Sequence, residues 1–231
     1  MRKNIQVIAG NLAETAIIRA AGEGRECLSL RVITNEEWTD DQGNIINKPC
    51  GHNVVKFGKE GQFTNFVEKC LQKGMPVYAE GITEKEMSEK DGIKYLNVTV
   101  NTTFDGEIQP IAASMRLNEQ TIAGNLAEDS VVRSSGDDSD CLSFTVITNH
   151  SYTGKDGNQV ETSCSHDVVK FGKKDKLTSL SAMLMKGAGV YLTGTTEKVN
   201  REHEGKKYLN VTLNATFKKI QITKYVTDKP A

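Results

Sequence analysis

The residues of this sequence that could carry chemistry are few, and most of them occur twice. Cys50 and His52 stand two positions apart and return as Cys164 and His166. Each pair could be half of a zinc site, but a structural zinc needs four ligands, usually as two close pairs. Cys70 has no repeat-related counterpart and cannot complete both sites. We therefore interpret the two pairs as a product of duplication and predict no metal.

Other catalytic signatures are missing from the sequence. It has no phosphate-binding glycine loop followed by Lys-Ser/Thr and no metalloprotease helix motif. The acid pairs Glu36-Glu37 and Asp40-Asp41 lie in a polar stretch, which is typical of solvated charge. The sequence predicts a protein that is not an enzyme and has no cofactor.

Aromatic side chains in polar surroundings are a second kind of candidate. Trp38 is the only tryptophan, and Thr39 and two aspartates follow it. It could pack across a hairpin, but burial explains an aromatic in a polar arm poorly, and an exposed ring can stack on another ring. Phe57 ends a stretch whose alternation does not say which face is buried, so burial and exposure both stay open there.

The stretch around Phe57 belongs to a long internal repeat. His52–Lys59 returns as His166–Lys173, and Gly10–Glu14 returns as Gly124–Glu128, both 114 residues later. Each copy has the size of a small domain, whereas solenoid units run to roughly 20 to 50 residues. We predict one domain over residues 1–106, a linker over 107–117 that contains Gln109 and Pro110, and a second domain over 118–231.

Hydrophobic periodicity predicts the same elements in each copy. In the first copy we expect four alternating strands with a fifth after a charged hairpin, and a helix in which apolar residues recur at helical spacing. The predicted ranges are Asn4–Ala9, Glu26–Thr34, a third strand ending near Phe57, a helix over Glu60–Lys73, Met75–Gly81 and Ile93–Thr103. Turns are predicted at Asp40–Asn44 and Asp91-Gly92, and an alternating tail after residue 217 would extend the last strand.

This order, with one short helix between strands three and four, is the plan of the five-stranded OB barrel. The predicted fold class is therefore all-β, with two OB barrels in tandem. The net charge of −1 argues against a protein that binds polyanions by bulk positive charge, although a local basic path is compatible with it. No apolar run approaches the length of a membrane span, and the start has no secretory signal, so we expect a cytoplasmic protein with reduced cysteines.

The chain also resembles bacterial-type single-stranded DNA-binding proteins in the order and spacing of four motifs. These motifs are Val7–Leu12, Thr34–Trp38, His52–Lys59 and Leu71–Gly81, and the second copy carries them again with Tyr152 in place of Trp38. The resemblance implies sequence-independent binding of single-stranded DNA, which would protect it in replication, recombination or repair. It also implies a homodimer that presents four barrels, with replication or recombination proteins as further partners.

By this resemblance, four aromatic residues would stack on bases: Trp38, Phe57, Tyr152 and Phe171. Six lysines would contact phosphates: Lys59, Lys73, Lys85, Lys173, Lys186 and Lys198. Lys56 and Lys170 alternate with the phenylalanines, and their role stays open. Tyr78, Tyr95, Tyr191 and Tyr208 sit among apolar residues, which predicts core packing with a hydrogen-bonded hydroxyl.

The chain departs from the family pattern in three places. Gly51 and Ser165 stand where the family usually has a tryptophan, the hairpins after Glu84 and Glu197 lack an aromatic, and the end is not the family's acidic tail. The thinner stacking surface predicts weaker binding per barrel, offset by the second barrel. It leaves an alternative: an OB-fold adaptor that acts mainly through protein partners. An oligosaccharide-binding barrel is disfavoured by the motif order.

Overall fold

A computed structural model of the chain describes residues 3–39, 42–90, 93–103, 106–113, 115–134, 140–153, 157–203, 206–216 and 218–226. The chain divides into two compact units, one made mainly of residues 5–119 and the other mainly of residues from 120 onward. The turn predicted at Asp40–Asn44 is described from Gln42 onward, where the chain turns and Gly43 has a φ of +82°. Asp91-Gly92 lies outside the described residues. No helix in the described ranges is long and apolar enough to cross a membrane.

The two barrels have the same order of elements. The first contains β1 (Lys3–Leu12), β2 (Ile17–Ala20), β3 (Arg25–Thr39), β4 (Ile45–Lys59), α1 (Thr64–Cys70), β5 (Pro76–Lys90), β6 (Ile93–Asn101) and β7 (Glu107–Pro110). The second contains β8 (Leu117–Leu126), β9 (Val131–Ser134), β10 (Asp140–Thr153), β11 (Gln159–Gly172), α2 (Lys174–Ser181), β12 (Gly189–His203), β13 (Lys206–Asn214) and β14 (Ile220–Lys224).

The first barrel closes because β1 pairs with strands on both of its sides. It runs antiparallel to β5 along Gln6–Asn11 and then pairs with β3. Gly10 lies at this change of partner, where a Cβ atom would overlap the carbonyl oxygen of Ile33, so the close approach requires glycine. β4 runs parallel to β6 from the pair Asn53 and Thr99 onward. Strands β1, β3, β4, β6 and β5 thus form a closed barrel of OB topology, as predicted.

The second barrel closes in the same way. β8 pairs with β12 and with β10, and β11 runs parallel to β13. Gly124 repeats the role of Gly10, since a Cβ atom there would overlap the carbonyl oxygen of Ile147. The predicted duplication of one OB fold is therefore confirmed.

Each barrel has its own apolar core, made by the inward positions of its strands and by its helix. In the first barrel Ile8, Leu28 and Val54 pack with Phe63 and Leu71, which come from the helical segment. In the second barrel the core contains Ile122, Leu142, Val168, Leu177 and Leu184. Burying an aliphatic side chain of this size contributes ~1.5–3 kcal/mol. The segments that contain the two helices therefore contribute to both cores.

The structure differs from the predicted elements in length and number. β3 and β4 extend well beyond the predicted strands, and β2 was missed because four residues are too few to show a period. The helix is shorter than predicted. Gly61 has a φ of +77°, which a right-handed helix cannot contain, so α1 begins only at Thr64.

Two further strands lie outside the predicted barrels. β7, within the stretch predicted as linker, pairs antiparallel with β5. β14, within the alternating tail, pairs antiparallel with β12. The tail therefore does not extend the last barrel strand, and that prediction is wrong: the chain turns after β13 and returns along a different strand.

Candidate nucleic-acid interface

The hairpin of β3 and β4 has one buried and one exposed face. Leu28 and Val32 of β3 are fully buried, and so are His52 and Val54 of β4. Because side chains alternate along a strand, Phe57 falls on the opposite, exposed face. This answers the question that the sequence left open, since the face that carries Phe57 is the outward one.

Phe57 and Phe171 occupy the same place in the two barrels. Their side chains are 36% and 37% exposed. The amide of Phe57 donates a hydrogen bond to Thr103 Oγ1 at 3.0 Å, and that of Phe171 donates to Thr216 Oγ1 at 3.1 Å, so the backbone beneath each ring is held in place. An exposed ring on a fixed backbone can stack on a base.

Cations lie close to both rings. Lys59 and Lys173 are exposed and follow the two phenylalanines by two residues. In the first barrel the guanidinium carbon of Arg25 also lies 5.7 Å from the centroid of the Phe57 ring, within the range of a cation–π contact. The matching position in the second barrel, Ser139, lies outside the described residues.

The residues paired with the two phenylalanines across the ladder are Cys27 and Cys141. Burial raises the pKa of both thiols, and neighbouring Arg19 and Arg133 lower it by less. Both thiols are therefore neutral at physiological pH. The cysteines add no negative charge beneath the rings that would repel a phosphate.

Lys56 and Lys170, whose role was open, bind main-chain carbonyls of their own barrels. Lys56 Nζ donates to the carbonyl oxygens of Thr102 at 3.0 Å and Gly106 at 3.2 Å. Lys170 Nζ donates to three carbonyl oxygens, those of Ala215 (2.9 Å), Thr216 (2.7 Å) and Lys218 (3.0 Å). Burial lowers the pKa of Lys170. These lysines fasten the chain that leaves the last barrel strand, and they are not placed to contact a ligand on the Phe57 face.

Trp38 and Tyr152 lie far from the phenylalanines, in the two-stranded arms where β3 and β10 extend beyond the barrels. Trp38 is 46% exposed and pairs with Ile46. Eleven residues separate it from Cys27, the partner of Phe57, which is about 36 Å at the rise of a strand. Alternation also places it on the other face of the ladder. The structure therefore does not bring the two predicted stacking residues of a barrel together.

The arms differ in what stands beside the predicted stacking residue. In the second barrel the ring of His150 stacks on that of Tyr152, with centroids 6.0 Å apart and planes at 27°. In the first barrel Glu36 takes the position of His150, and Arg116 Nη1 binds the neighbouring Glu37 at 2.8 Å. This exposed ion pair neutralises one acidic charge next to Trp38.

The other predicted phosphate contacts are spread over different elements. Lys73 and Lys186 are exposed but follow the helices, where their amides donate to Thr15 Oγ1 and Asp129 Oδ1 near the end of β1 or β8. Lys85 and Lys198 are half-buried on β5 and β12. Only Lys59 and Lys173 lie next to a predicted stacking ring.

The prediction that the tyrosines pack in the core is wrong, although the predicted hydroxyl hydrogen bond is present in Tyr78. Tyr78 and Tyr191 alternate with the buried Val77 and Val190, so they lie on the outward faces of their strands. Tyr78 is half-buried, and its hydroxyl donates to Glu80 Oε2 at 2.7 Å. Tyr95 and Tyr208, however, are 46% and 48% exposed, so they do not pack in the core. Tyr95 pairs with Ser88 where β5 and β6 extend as an arm beyond the barrel, and an apolar neighbour in sequence has no core to reach there.

The repeated histidines belong to a buried hydrogen-bonded chain, which sequence reasoning missed. Thr83 donates to Gln6 Oε1 at 3.0 Å, and Gln6 Nε2 lies 3.3 Å from His52 Nδ1. His52 Nε2 lies 3.0 Å from Thr34 Oγ1, which donates to the carbonyl oxygen of Cys50. Because the amide nitrogen of Gln6 only donates, Nδ1 must accept, and the ring is neutral with its proton on Nε2.

The second barrel repeats this chain with its own residues. The corresponding contacts join Thr196, Gln120, His166, Thr148 and Cys164 in the same order. The described residues contain no group of three or more His, Cys, Asp or Glu that could hold a metal. The Cys-x-His pairs are therefore explained by this chain, in which the histidine links two strands and the cysteine supplies a carbonyl.

The fold and the exposed aromatic residues define the class of protein as a tandem OB-fold protein with an aromatic and basic outer surface. The model of the single-strand binding protein family matches residues 4–105 and 117–222, one match for each barrel. The chain belongs to the single-strand binding protein family.

The individual proteins that resemble this chain share about a fifth to a third of its sequence. "Single-stranded DNA-binding protein 1" of Xylella fastidiosa is 32% identical over 93 residues, which span 39% of this chain and 66% of that protein. The wild-type single-stranded DNA binding protein of Thermus aquaticus has a similar fold, with a TM-score of 0.69 at 22% identity over 100% of this chain and 96% of that one. A deletion mutant of it has the same TM-score and identity over 99% and 97%.

Proposed function

We propose that this protein binds single-stranded DNA without strong sequence preference, and that both barrels contribute. Base stacking on an aromatic ring is worth ~1–3 kcal/mol per base and is tolerant of sequence, because every base has a flat face. The observation that carries the proposal is the exposed pair of Phe57 and Phe171 at matched strand ends, each followed by an exposed lysine. Membership of the single-strand binding protein family supports it.

The binding would use two separate areas of each barrel. One is the outward face with Phe57 or Phe171 and the lysine that follows, and the other is the arm with Trp38 or Tyr152. Since these areas lie about 36 Å apart along the ladder and on opposite faces of it, a single strand that contacts both must run along the barrel and cross from one face to the other. The lysines on β5, on β12 and after the helices would contact phosphates along this path.

The proposal includes a role and an assembly. The protein would act by binding alone, without catalysis, and would coat strands exposed in replication, recombination or repair in the cytoplasm. The functional domains would be residues 1–106 and 118–231, joined by residues 107–117. Two chains would associate and present four barrels, which raises the effective concentration of sites along one strand. Replication or recombination proteins would be its further partners.

The fluorescence of Trp38, the only tryptophan, gives a direct test. We expect oligo(dT) to quench it and a duplex of equal length to quench it much less. The affinity should fall with salt by a slope of roughly 0.7 per phosphate neutralised. A labelled oligonucleotide, followed by anisotropy, reports binding independently of the tryptophan.

The adaptor alternative makes the opposite prediction. It requires weak binding of DNA in both assays and a stable complex with a protein partner. Absence of oligo(dT) binding at low salt would therefore overturn the proposed function. Equal binding of single strand and duplex would overturn the specificity for single strands.

A further inference from the structure

Two arginines of the first barrel belong to the outward face of β3 and β4. Arg31 lies opposite Asn53 in the ladder, and alternation places it on the same face as Phe57. Arg25 turns its guanidinium group to within 5.7 Å of the Phe57 centroid. Both arginines therefore lie on the face that carries Phe57. Neither guanidinium forms an ion pair or hydrogen bond with any residue that the structure describes.

The side chain of Arg31 also lies against Gly51 of β4. Gly51 has no side chain, and a Cβ atom there would lie 3.3 Å from Arg31 Nη2 and 3.5 Å from Ile33 Cδ1. The guanidinium therefore rests close to the backbone of β4, while the side chain as a whole stays exposed. A planar cation in this position can bind phosphate oxygens and stack on a base, which a lysine cannot do equally well.

The second barrel has different chemistry at the same positions. Thr145 replaces Arg31, and Asp167 replaces Asn53. Thr145 Oγ1 donates to Asp167 Oδ1 at 2.9 Å, and the carboxylate is exposed. Ser165 stands in the place of Gly51. The face that carries two arginines in the first barrel thus carries a carboxylate in the second, which repels a phosphate.

We propose that Arg31, together with Arg25, forms a contact for single-stranded DNA that the first barrel has and the second lacks. The inference rests on the proposed function and goes beyond it, because it makes the two barrels unequal. Arg31 pairs with Asn53, which lies four residues before Phe57 on β4, so the backbone of Arg31 is about 13 Å from that of Phe57 along the ladder. A strand stacked on Phe57 would continue across Arg31, whose charge would neutralise one of its phosphates. The outward face of the first barrel would therefore bind more tightly than that of the second.

Oligo(dT) binding by the full chain tests this, with Arg31→Gln compared with Lys69→Gln. Lys69 is an exposed cation on α1 in the same barrel, so its change removes the same charge away from the face. We expect Arg31→Gln to weaken binding about tenfold, the effect of one charge-assisted contact. The salt slope should become smaller by roughly 0.7. Thermal unfolding of both variants verifies that they fold.

The reverse change provides a second test. Thr145→Arg combined with Asp167→Asn gives the second barrel the first barrel's residues at these two positions, and we expect tighter binding with a salt slope larger by roughly 0.7. If the affinity does not increase, these two positions are not the source of the difference between the barrels. If the parent binds oligo(dT) but Arg31→Gln matches Lys69→Gln in affinity and slope, this inference is wrong and the proposed function stands. If the parent does not bind, the proposed function itself fails.

Discussion

The two barrels share a buried hydrogen-bonded network but differ at part of their outward faces. The histidines, glutamines and threonines of the buried hydrogen-bonded chain occupy matched positions with distances within 0.2 Å of each other, such as 3.0 Å and 3.2 Å for the bonds of Thr83 and Thr196. On the outward face the matched residues are Arg31 and Thr145, which differ in charge and size. The difference indicates that folding requirements fix the interior of each barrel, while the outer face is free to take different chemistry.

The start of the helix is an exception, because a buried side chain there makes contacts that its counterpart does not repeat. In the first barrel buried Glu26 accepts hydrogen bonds from the amides of Gly61 at 3.0 Å and Phe63 at 2.7 Å, just before α1 begins. In the second barrel the matching Asp140 is one methylene shorter and accepts no such bond within the described part of the chain. Besides Lys173, the counterpart of Lys59, this region of the second barrel has two further exposed lysines, Lys174 and Lys176.

The arms offer the largest expected effect on binding. Trp38→Ala and Tyr152→Ala should each weaken oligo(dT) binding by ~1–3 kcal/mol, and the double variant by about 2 to 6 kcal/mol, because each ring would lose a stacked base. The measurement is anisotropy of a labelled oligonucleotide. The exposed tail residue Tyr225 provides the control, and Tyr225→Ala should bind as the parent does. A double variant with the affinity of the parent would contradict stacking in the arms.

The next largest expected effect is on stability, and it comes from the buried hydrogen-bonded residues around each histidine. His52→Ala leaves the amide of Gln6 and the hydroxyl of Thr34 without their ring partner inside the core, so we expect a loss of about 3 kcal/mol in the free energy of unfolding. His166→Ala should cost its own barrel about the same, because its contacts are the same. Urea unfolding of both variants measures this.

Unequal losses in the free energy of unfolding would contradict the equivalence of the two buried interiors. If only one histidine matters, its barrel depends on the chain of hydrogen bonds and the other does not. Trp38 fluorescence reports the first barrel alone, so it separates the two transitions. A loss seen by Trp38 for His52→Ala but not for His166→Ala would fit two barrels that unfold independently.

The sequence alone was sufficient for the fold because the fold depends on local patterns that occur twice. The alternation of Leu28 and Val32 and the glycine at Gly10 specify inward faces and a bend. β2 and β7 escaped notice because strands of four residues carry no measurable period. Their pairing partners, β3 and β5, supply the hydrogen bonds that local sequence cannot reveal.

The candidate site was harder to predict, since a face can be assigned only when its partner strand is known. The sequence did not say which side of Phe57 is buried, and it placed Tyr95 in the core although the strand had already left the barrel. The role of Lys56 could not be predicted, because its carbonyl partners are 46 and 50 residues away. Arg31 gave no signal, because its position over Gly51 depends on the ladder register.

The lysines at the start of α2 give a smaller effect on binding. Replacing Lys173, Lys174 and Lys176 with Gln should reduce the salt slope by roughly 0.7 for each phosphate they contact, whereas Lys59→Gln can remove at most one such contact from the first barrel. Lys69→Gln is the control for the loss of charge away from the face. The measurement is oligo(dT) affinity over a series of salt concentrations. An unchanged slope in the triple variant would mean that the second barrel binds DNA without these lysines.

The smallest expected effect is on the pH dependence of stability. It comes from Tyr78, whose carboxylate partner is present only in the first barrel. Burial, the hydrogen bond to Glu80 and the negative charges of Glu80 and Glu107 raise the pKa of Tyr78 to about 12. The unfolded value is about 10. The folded chain therefore keeps a proton that the unfolded chain loses, and the stabilisation is complete below pH ~10 and falls as pH rises toward 12. In the second barrel Thr193 stands in the place of Glu80 and offers no carboxylate. Tyr78→Phe should remove the step at the highest pH in the tyrosinate absorbance titration. It should also make the free energy of unfolding less sensitive to pH above 10. If the highest step remains in this variant, it belongs to another tyrosine.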